Sequence, residues 1–372
     1  MKNTFGSAVS LTIFGESHGP AIGAVLDGLA AGLPVEEQFI AECMDRRRAR
    51  GDGLSTSRTE PDRVEILSGV LDGHTTGTPV TLIVRNTNTR SGDYARTAAL
   101  LRPGHADYTA WAKYGGFQDA RGGGHFSGRI TAASVAAGAI CQQVLARLGI
   151  QVYTHIARCA GIPDAALPAD GTLPAPAAPG HFSLVDPGRE TAMQEAIRAA
   201  GAAGDSVGGI LETVVTGLPA GVGEPFFDSV ESELSHLMFS VPAVKGIEFG
   251  AGFRFADLNG STANDPFRMG ENGRVVTATN RNGGVNGGIT NGMPVVFRTV
   301  VKPTPSIYKQ QETVDYIAKK DAELTIHGRH DPCIVPRAAV VQDTLTALGI
   351  LDLWTVRYGT AAQKHGLPGA DR

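Results

Sequence analysis

Four short segments of this chain carry the residue types that move protons and hold anions. In Phe14-Gly15-Glu16-Ser17-His18-Gly19, glycines bracket a carboxylate, a hydroxyl and an imidazole, directly after an apolar run, Ala8 to Ile13, that reads as a strand. A histidine delivered by a tight turn at a strand end suits proton transfer near neutral pH. Arg102-Pro103-Gly104-His105-Ala106-Asp107, Arg121-Gly122-Gly123-Gly124-His125 and Gly328-Arg329-His330-Asp331-Pro332 repeat the pattern, each packing Arg, His or Asp into a loop punctuated by Gly or Pro. His18, beside Glu16, and His105, beside Asp107, are the acid–base candidates. Asp331 is the third, although an Asp before Pro also forms turns. His74, His155, His181, His236 and His365 lack such settings, and no role is read for them. No pair has HExxH or CxxC spacing, so no metal is expected.

The cations point to a small anion. Arg46, Arg47, Arg48 and Arg50 crowd the end of a helix, where one or two would be enough to complement its dipole. Guanidinium forks match carboxylate and phosphate oxygens. Arg58, Arg102, Arg121, Arg129, Arg329 and Arg337 add to the set. Arg121 to Arg129 places three glycines before a helix, where backbone N–H groups can face a phosphate; a plain surface turn is the competing reading. The loop is neither a Walker A nor a GxGxxG sequence, so no nucleotide type follows. Asn282 to Gly292, with two Gly-Gly steps and three Asn, could approach a flat cofactor or could equally be two tight turns.

Several elements must position these residues. Helical spacing of Val35, Phe39, Ile40, Cys43 and Met44 after Pro34 predicts a helix ending in the arginine cluster. Further helices are expected over 130–148, 190–200, 228–239 and 338–348, and strands over 64–67, 80–84, 210–216 and 294–301. Residues 160–187 read as an Ala/Pro-rich surface excursion and 363–372 as a frayed tail, the whole chain 1–372 forming one domain. Gly15-Glu16-Ser17-His18-Gly19 with Ile22 to Leu29 is echoed by Gly204-Asp205-Ser206-Val207-Gly208 with Ile210 to Leu218, as an internal duplication or a chance likeness would leave. The elements lack a strict βαβ rhythm, so the fold class read is α+β, with helices layered on antiparallel or mixed sheets.

Composition narrows the function. The 372 residues are 42% hydrophobic and 19% charged, as in an ordered globular protein, and 48 glycines with 21 prolines imply many tight turns. A formal net charge of −4 gives no field to recruit nucleic acid. A nucleic-acid reading of Arg46 to Arg50 predicts steeply salt-dependent binding instead. Cys43, Cys141, Cys159 and Cys333 form no CxxC, the start shows no signal-peptide pattern, and no apolar run reads as a membrane span. A cytoplasmic protein with reduced thiols is expected.

Together these segments resemble the chorismate synthase family over nearly the whole length. The matching pieces are Phe14 to Gly19, Asp45 to Arg48, Arg90 to Tyr94, Arg102 to Tyr108, Arg121 to Gly124, Gly217 to Gly221, Val244 to Glu248, Gly283 to Gly288, Lys302 to Ser306 and Gly328 to Pro332. The resemblance implies a β-α-β sandwich, usually a homotetramer. It implies a lyase converting 5-enolpyruvylshikimate 3-phosphate to chorismate and phosphate by 1,4-anti elimination, with reduced FMN and NADPH as its associated reductant. By resemblance, His18 would assist the departing phosphate, His105 would protonate the reduced flavin, and Asp331 would help take the C6 proton, with Ser17 and Ser127 in support. Arg46, Arg47, Arg48 and Arg129 would bind substrate. His125, Phe126, Ser127, Pro242, Ala243, Gly287, Lys302, Pro303, Thr304, Pro305, Ser306 and Arg329 would line the flavin site. Many members continue the Gly-rich loop as Arg-Ser-Ser-Ala-Arg-Glu; here it is His125-Phe126-Ser127-Gly128-Arg129-Ile130. An arginine common shortly after the triplet is also missing unless Arg50 replaces it. The long insertions of members that reduce their own flavin are not seen. The runner-up is another flavin-dependent enzyme on the same fold, acting on a phosphorylated carboxylic acid.

Overall fold

Period-two burial along Val80–Arg85, and deeper burial along Ala21–Asp27, build the first of two sheets. In this computed structural model the described residues are all but 1, 57–59, 88–98, 168–172, 176, 179, 271–272, 327, 329 and 366–372. Arg58, the Arg90 to Tyr94 segment and Arg329 therefore lie outside the described residues. The first sheet runs, in spatial order, Thr4–Phe5, Ser10–Gly15, Ala21–Asp27, Val80–Arg85, Val64–Ser68; the second runs Val244–Phe249, Val295–Val301, Gly209–Thr216, Gln151–Cys159, Ile162–Pro163. Every pairing in both is antiparallel. Both echo segments thus lead into the middle strand of a five-stranded sheet.

The helices are α1 (Glu37–Arg47), α2 (Asp107–Tyr114), α3 (Thr131–Arg147), α4 (Glu190–Ala202), α5 (Val230–Met238), α6 (Gly260–Ala263), α7 (Val335–Tyr358) and α8 (Ala362–His365). α3 packs on the first sheet, α7 on the second, and the two pack on each other with α1 and α5 alongside. The result is a β-α-β sandwich, an α+β fold as read from the sequence. At the α3–α7 crossing, a Cβ on Gly138 would stand 2.3 Å from the Thr344 carbonyl oxygen, so only glycine permits this approach.

α7 differs most from its sequence reading. It has 24 residues rather than 338–348, and its length and hydropathy are those of a membrane-crossing helix, yet 94% of that window is buried inside the protein. Several of its polar groups are satisfied internally. Thr344 and Thr355 donate to the Val340 and Leu351 carbonyls, Gln342 bonds Thr213 and Thr299 of the second sheet, and Asp352 accepts from the N–H groups of Ser7, Ala8 and Val9.

The strands Gln151–Cys159 and Val244–Phe249 were not expected. Tyr153, Thr154, His155 and Ile156 are all buried, with His155 enclosed by Asp164 and Glu212 and the strand edge taken by Ser183, and burial on both faces erases the alternation. Within the 160–187 excursion, Phe182, Ser183 and Leu184 are buried. Gln363 is likewise buried, bonding Ala30, Gly28 and Thr355.

Candidate active site

The turn Glu16–Gly19 continues from the Ser10–Gly15 strand and is closed by Gly19 N–H donating to Glu16 O at 3.0 Å. It presents Ser17, fully buried, and His18, 8% exposed. The Gly-rich loop closes over it. Ser17 N–H donates to Gly124 O at 3.1 Å, and Ser17 Oγ donates to Arg121 O at 3.2 Å. Gly122, Gly123 and Gly124 all have positive φ. A Cβ on Gly122 would lie 2.6 Å from His18 Nε2, and one on Gly124 would lie 2.0 Å from Asp119 O. All three positions favour glycine for backbone conformation, and Gly122 also for its close approach to the histidine. His125 Nδ1 is 2.7 Å from Gly15 O; a carbonyl only accepts, so Nδ1 carries the proton and ties the loop to the strand end. Ser127 Oγ accepts from Arg129 N–H at the entry to α3. Arg121 is occupied by Asp119, whose carboxyl it holds below the usual range.

The arginine triplet does not form one patch. Successive helical residues fan out by about 100°, so the three guanidiniums diverge. Arg46 reaches Asp343 of α7 at 3.5 Å. Arg47 is 3% exposed and donates to Asp62 at 3.0 Å, to Thr131 and to the Gly128 and Arg129 carbonyls. Burial and then the Arg337 charge lower its pKa to about 9, so it stays charged at neutral pH. Arg48 pairs with Asp45 and keeps 40% of its side chain exposed. Arg50 also pairs with Asp45, at 2.6 Å. Arg48, Ala49, Arg50 and Glu60 line a cleft of about 240 Å³. Arg129 is engaged by Asn86, Glu60 and Asp62. Contrary to the sequence reading of a ligand-facing set, Arg47 and Arg129 are directed into the protein.

His105 belongs to a second cluster. Its Nε2 lies 2.6 Å from Ser306 Oγ. Lys302 Nζ donates to Gly104 O at 2.8 Å, and Lys302 N–H donates to Ala243 O, which brings Pro242 and Ala243 to the Lys302–Ser306 segment. Arg102 grips Asp107 with two nitrogens and its backbone N–H. Burial alone would raise the Asp107 pKa; these bonds outweigh it and hold the group below its ordinary value. Burial, then the Arg102 charge, push His105 down to about 4. Tyr114, at the far end of α2, meets Phe126 of the Gly-rich loop at 6.3 Å between ring centres, joining the two clusters.

Asp331 anchors a third. Its Oδ1 accepts from Thr56 N–H at 2.9 Å and from Arg337 at 2.8 Å, while Arg337 Nε donates to Arg47 O. Gly53, Ser55, Gly201, Asp205, Tyr308, His330, Asp331 and Pro332 line a cavity of about 250 Å³. The second echo segment sits on this wall, with Val207 N–H donating to Pro332 O and Ser206 Oγ to Thr304 O. Gly287 stands apart: its hairpin bonds α5 and the 219–224 loop, and no described hydrogen bond joins it to His105 or to 302–306.

The residues fit a flavin phosphate in one respect that the protein alone leaves unfinished. Thr304 Oγ1 is buried and finds no hydrogen-bond partner among the described residues, in the segment that begins at Lys302. Sequence reasoning missed Asn86, Glu60 and Asp62, which hold Arg129. Their only local signal is Asp62 itself, a non-glycine residue at φ 48°.

The chorismate synthase family profile matches residues 9–355. The chain is 46% identical over 353 residues to the chorismate synthase of Dehalococcoides mccartyi, covering 95% of this chain and 96% of that protein. It is 46% identical over 350 residues to that of Archaeoglobus fulgidus, covering 94% and 96%. A crystal structure of chorismate synthase superposes with a TM-score of 0.72 at 27% identity, over 95% of this chain and 94% of that one.

Proposed function

Because this chain belongs to the chorismate synthase family, lyases of the shikimate pathway, we propose that it converts 5-enolpyruvylshikimate 3-phosphate to chorismate and phosphate by 1,4-anti elimination. Reduced FMN, when bound, supplies electron density that eases the departure of phosphate. The observation that carries this reading is the seating of Ser17 and His18 against the three-glycine loop, with a histidine's Nε2 where an anion leaving a buried site would need a proton. His18 protonates or hydrogen-bonds the departing phosphate, and Ser17 and Ser127 fix the surrounding turn and loop. Asp331 is the carboxylate for the C6 proton, a reading supported by both of its described bonds falling on Oδ1. Lys302, Thr304 and Ser306, with His105, Pro303, Pro305, Pro242 and Ala243, hold the flavin. His125 and Phe126 complete its surroundings, and Arg48 binds substrate anions at the arginine cleft.

We assign the chain to the cytoplasm, supported by four buried free cysteines, and to a homotetramer, supported by family membership. Dependence on externally reduced flavin is part of this reading. The test is an anaerobic assay with 5-enolpyruvylshikimate 3-phosphate and chemically reduced FMN, following chorismate absorbance and phosphate together. Equal amounts of both, only with reduced flavin, support the reading. Tight flavin binding without product would favour a different phosphorylated acid as substrate, with the His125-Phe126 loop as the altered contact.

A further inference from the structure

We propose that Asn86 is a positioning residue for His18, and that Arg129, Glu60, Asp62 and Arg47 form the charged array that holds Asn86 in place; the catalytic part of this inference rests on the reading of His18 given above. Asn86 follows the Val80–Arg85 strand, and its N–H donates to Pro20 O at 3.1 Å, extending the ladder one step past the last sheet pair. Its carboxamide spans the histidine turn: Nδ2 donates to Glu16 O at 3.0 Å and to Gly19 O at 2.9 Å, the two ends of the turn that carries Ser17 and His18. Its Oδ1 accepts from Arg129 Nε at 3.0 Å.

These partners leave the amide one orientation. Two carbonyls can only accept and a guanidinium can only donate, so a flipped amide would set oxygen against oxygen and N–H against N–H. Arg129 is fixed in turn by Glu60 at 2.9 Å and by Asp62, whose other oxygen takes Arg47. Glu60, Asp62 and Arg47 are each 3% exposed and Arg129 is 8% exposed, so the array is screened from water and stiff. The opposite side of the turn is held by the Gly-rich loop, through Gly124 O, Arg121 O and His125. A side chain that both donates twice and accepts once is required at 86. Alanine offers neither, and aspartate keeps the Arg129 contact while turning a negative oxygen on two carbonyls. A Cβ on Gly122 would lie 2.6 Å from His18 Nε2, so the ring packs directly on that glycine.

The test compares Asn86→Ala and Asn86→Asp with the parent enzyme, reading turnover, the pH–rate profile, thermal unfolding and the His18 ring titration by NMR of histidine labelled with carbon-13, assigned with His18→Asn. Both variants are expected to fold and to lose about 10-fold or more in kcat with a smaller change in KM, and His18 is expected to titrate at a pH displaced by about half a unit or more. Asn86→Asp should do no better than Asn86→Ala even though it keeps an acceptor for Arg129. A folded Asn86→Ala protein whose His18 titration and pH profile overlay the parent's would overturn the proposal. So would a loss of activity that tracks the folded fraction alone. If His18→Asn leaves turnover intact while Asn86 variants still move the His18 titration, the catalytic reading of His18 fails and the positioning holds.

Discussion

At the scale of single residues, burial decides which ionisable groups serve the site. His105 is pushed down to about 4, chiefly by burial and then by Arg102. Its ordinary value is 6.5, so between pH 6.5 and 4 the unfolded chain binds the proton that the folded one refuses. The stability it contributes is full above pH 6.5 and is lost as pH falls through that window. Asp343 acts in the opposite sense: burial raises it from 3.8 to about 6, so its contribution is present at low pH and is lost as pH rises between those values. His105→Gln should therefore lose less stability than the parent between pH 7 and 4.5, by roughly 1–2 kcal/mol after allowing for partial exposure. Urea unfolding at both pH values measures this, and parallel losses in the two proteins would refute it. A ring held neutral at pH 7 becomes an effective acid only when an anion beside it raises its pKa. His105→Ala should still lower turnover by about 10²-fold with folding retained. Full activity of the variant at saturating reduced flavin would remove His105 from the chemistry.

Elements explain why the reactive residues arrive together. The Ser10–Gly15 strand delivers the His18 turn, and the start of that strand is pinned from across the molecule by Asp352 of α7. Its carboxylate, on a residue 3% exposed, accepts from three consecutive N–H groups at Ser7, Ala8 and Val9. Removing it leaves three buried or half-buried donors without partners, each costing about 1–3 kcal/mol. Asp352→Ala should cost roughly 3 kcal/mol or more in denaturant unfolding, with Asp352→Asn between it and the parent. A loss under about 1 kcal/mol would mean that water or a shifted turn replaces the carboxylate. The sequence marked Phe14 to Gly19 and Arg121 to Gly124 as two separate motifs, and their glycines were legible as turns. That one closes on the other was not, because the contacts run from residue 17 to residues 121 and 124, and no local pattern encodes a partner 100 residues away.

For the whole molecule, two antiparallel sheets enclose the helices α1, α3, α5 and α7, and the candidate site lies in the loops that leave their ends. Phe226, Phe227 and Phe253 are 85%, 91% and 84% exposed on the single chain, as surfaces that meet another copy commonly are. A homotetramer predicts a sedimenting mass four times the 38.8 kDa of the chain. A species of one chain mass at working concentration would contradict it.

By itself the sequence determined the residue types of the chemistry, the approximate bounds of the main helices other than α7 and of several core strands, the α+β class and, through the order of its motifs, the family. These are local or ordered properties: a Gly-flanked histidine, a helical period and a strand period are written in neighbouring residues. Only the tertiary structure decided which cations face inward. Arg47 and Arg48 are adjacent in sequence, yet one is buried on Asp62 and the other is exposed, because a helix rotates consecutive side chains away from each other. It also decided that Asn86, in a stretch without a motif, clasps the His18 turn, since hydrogen-bond partners are chosen by the packing of sheet against loop and not by spacing along the chain.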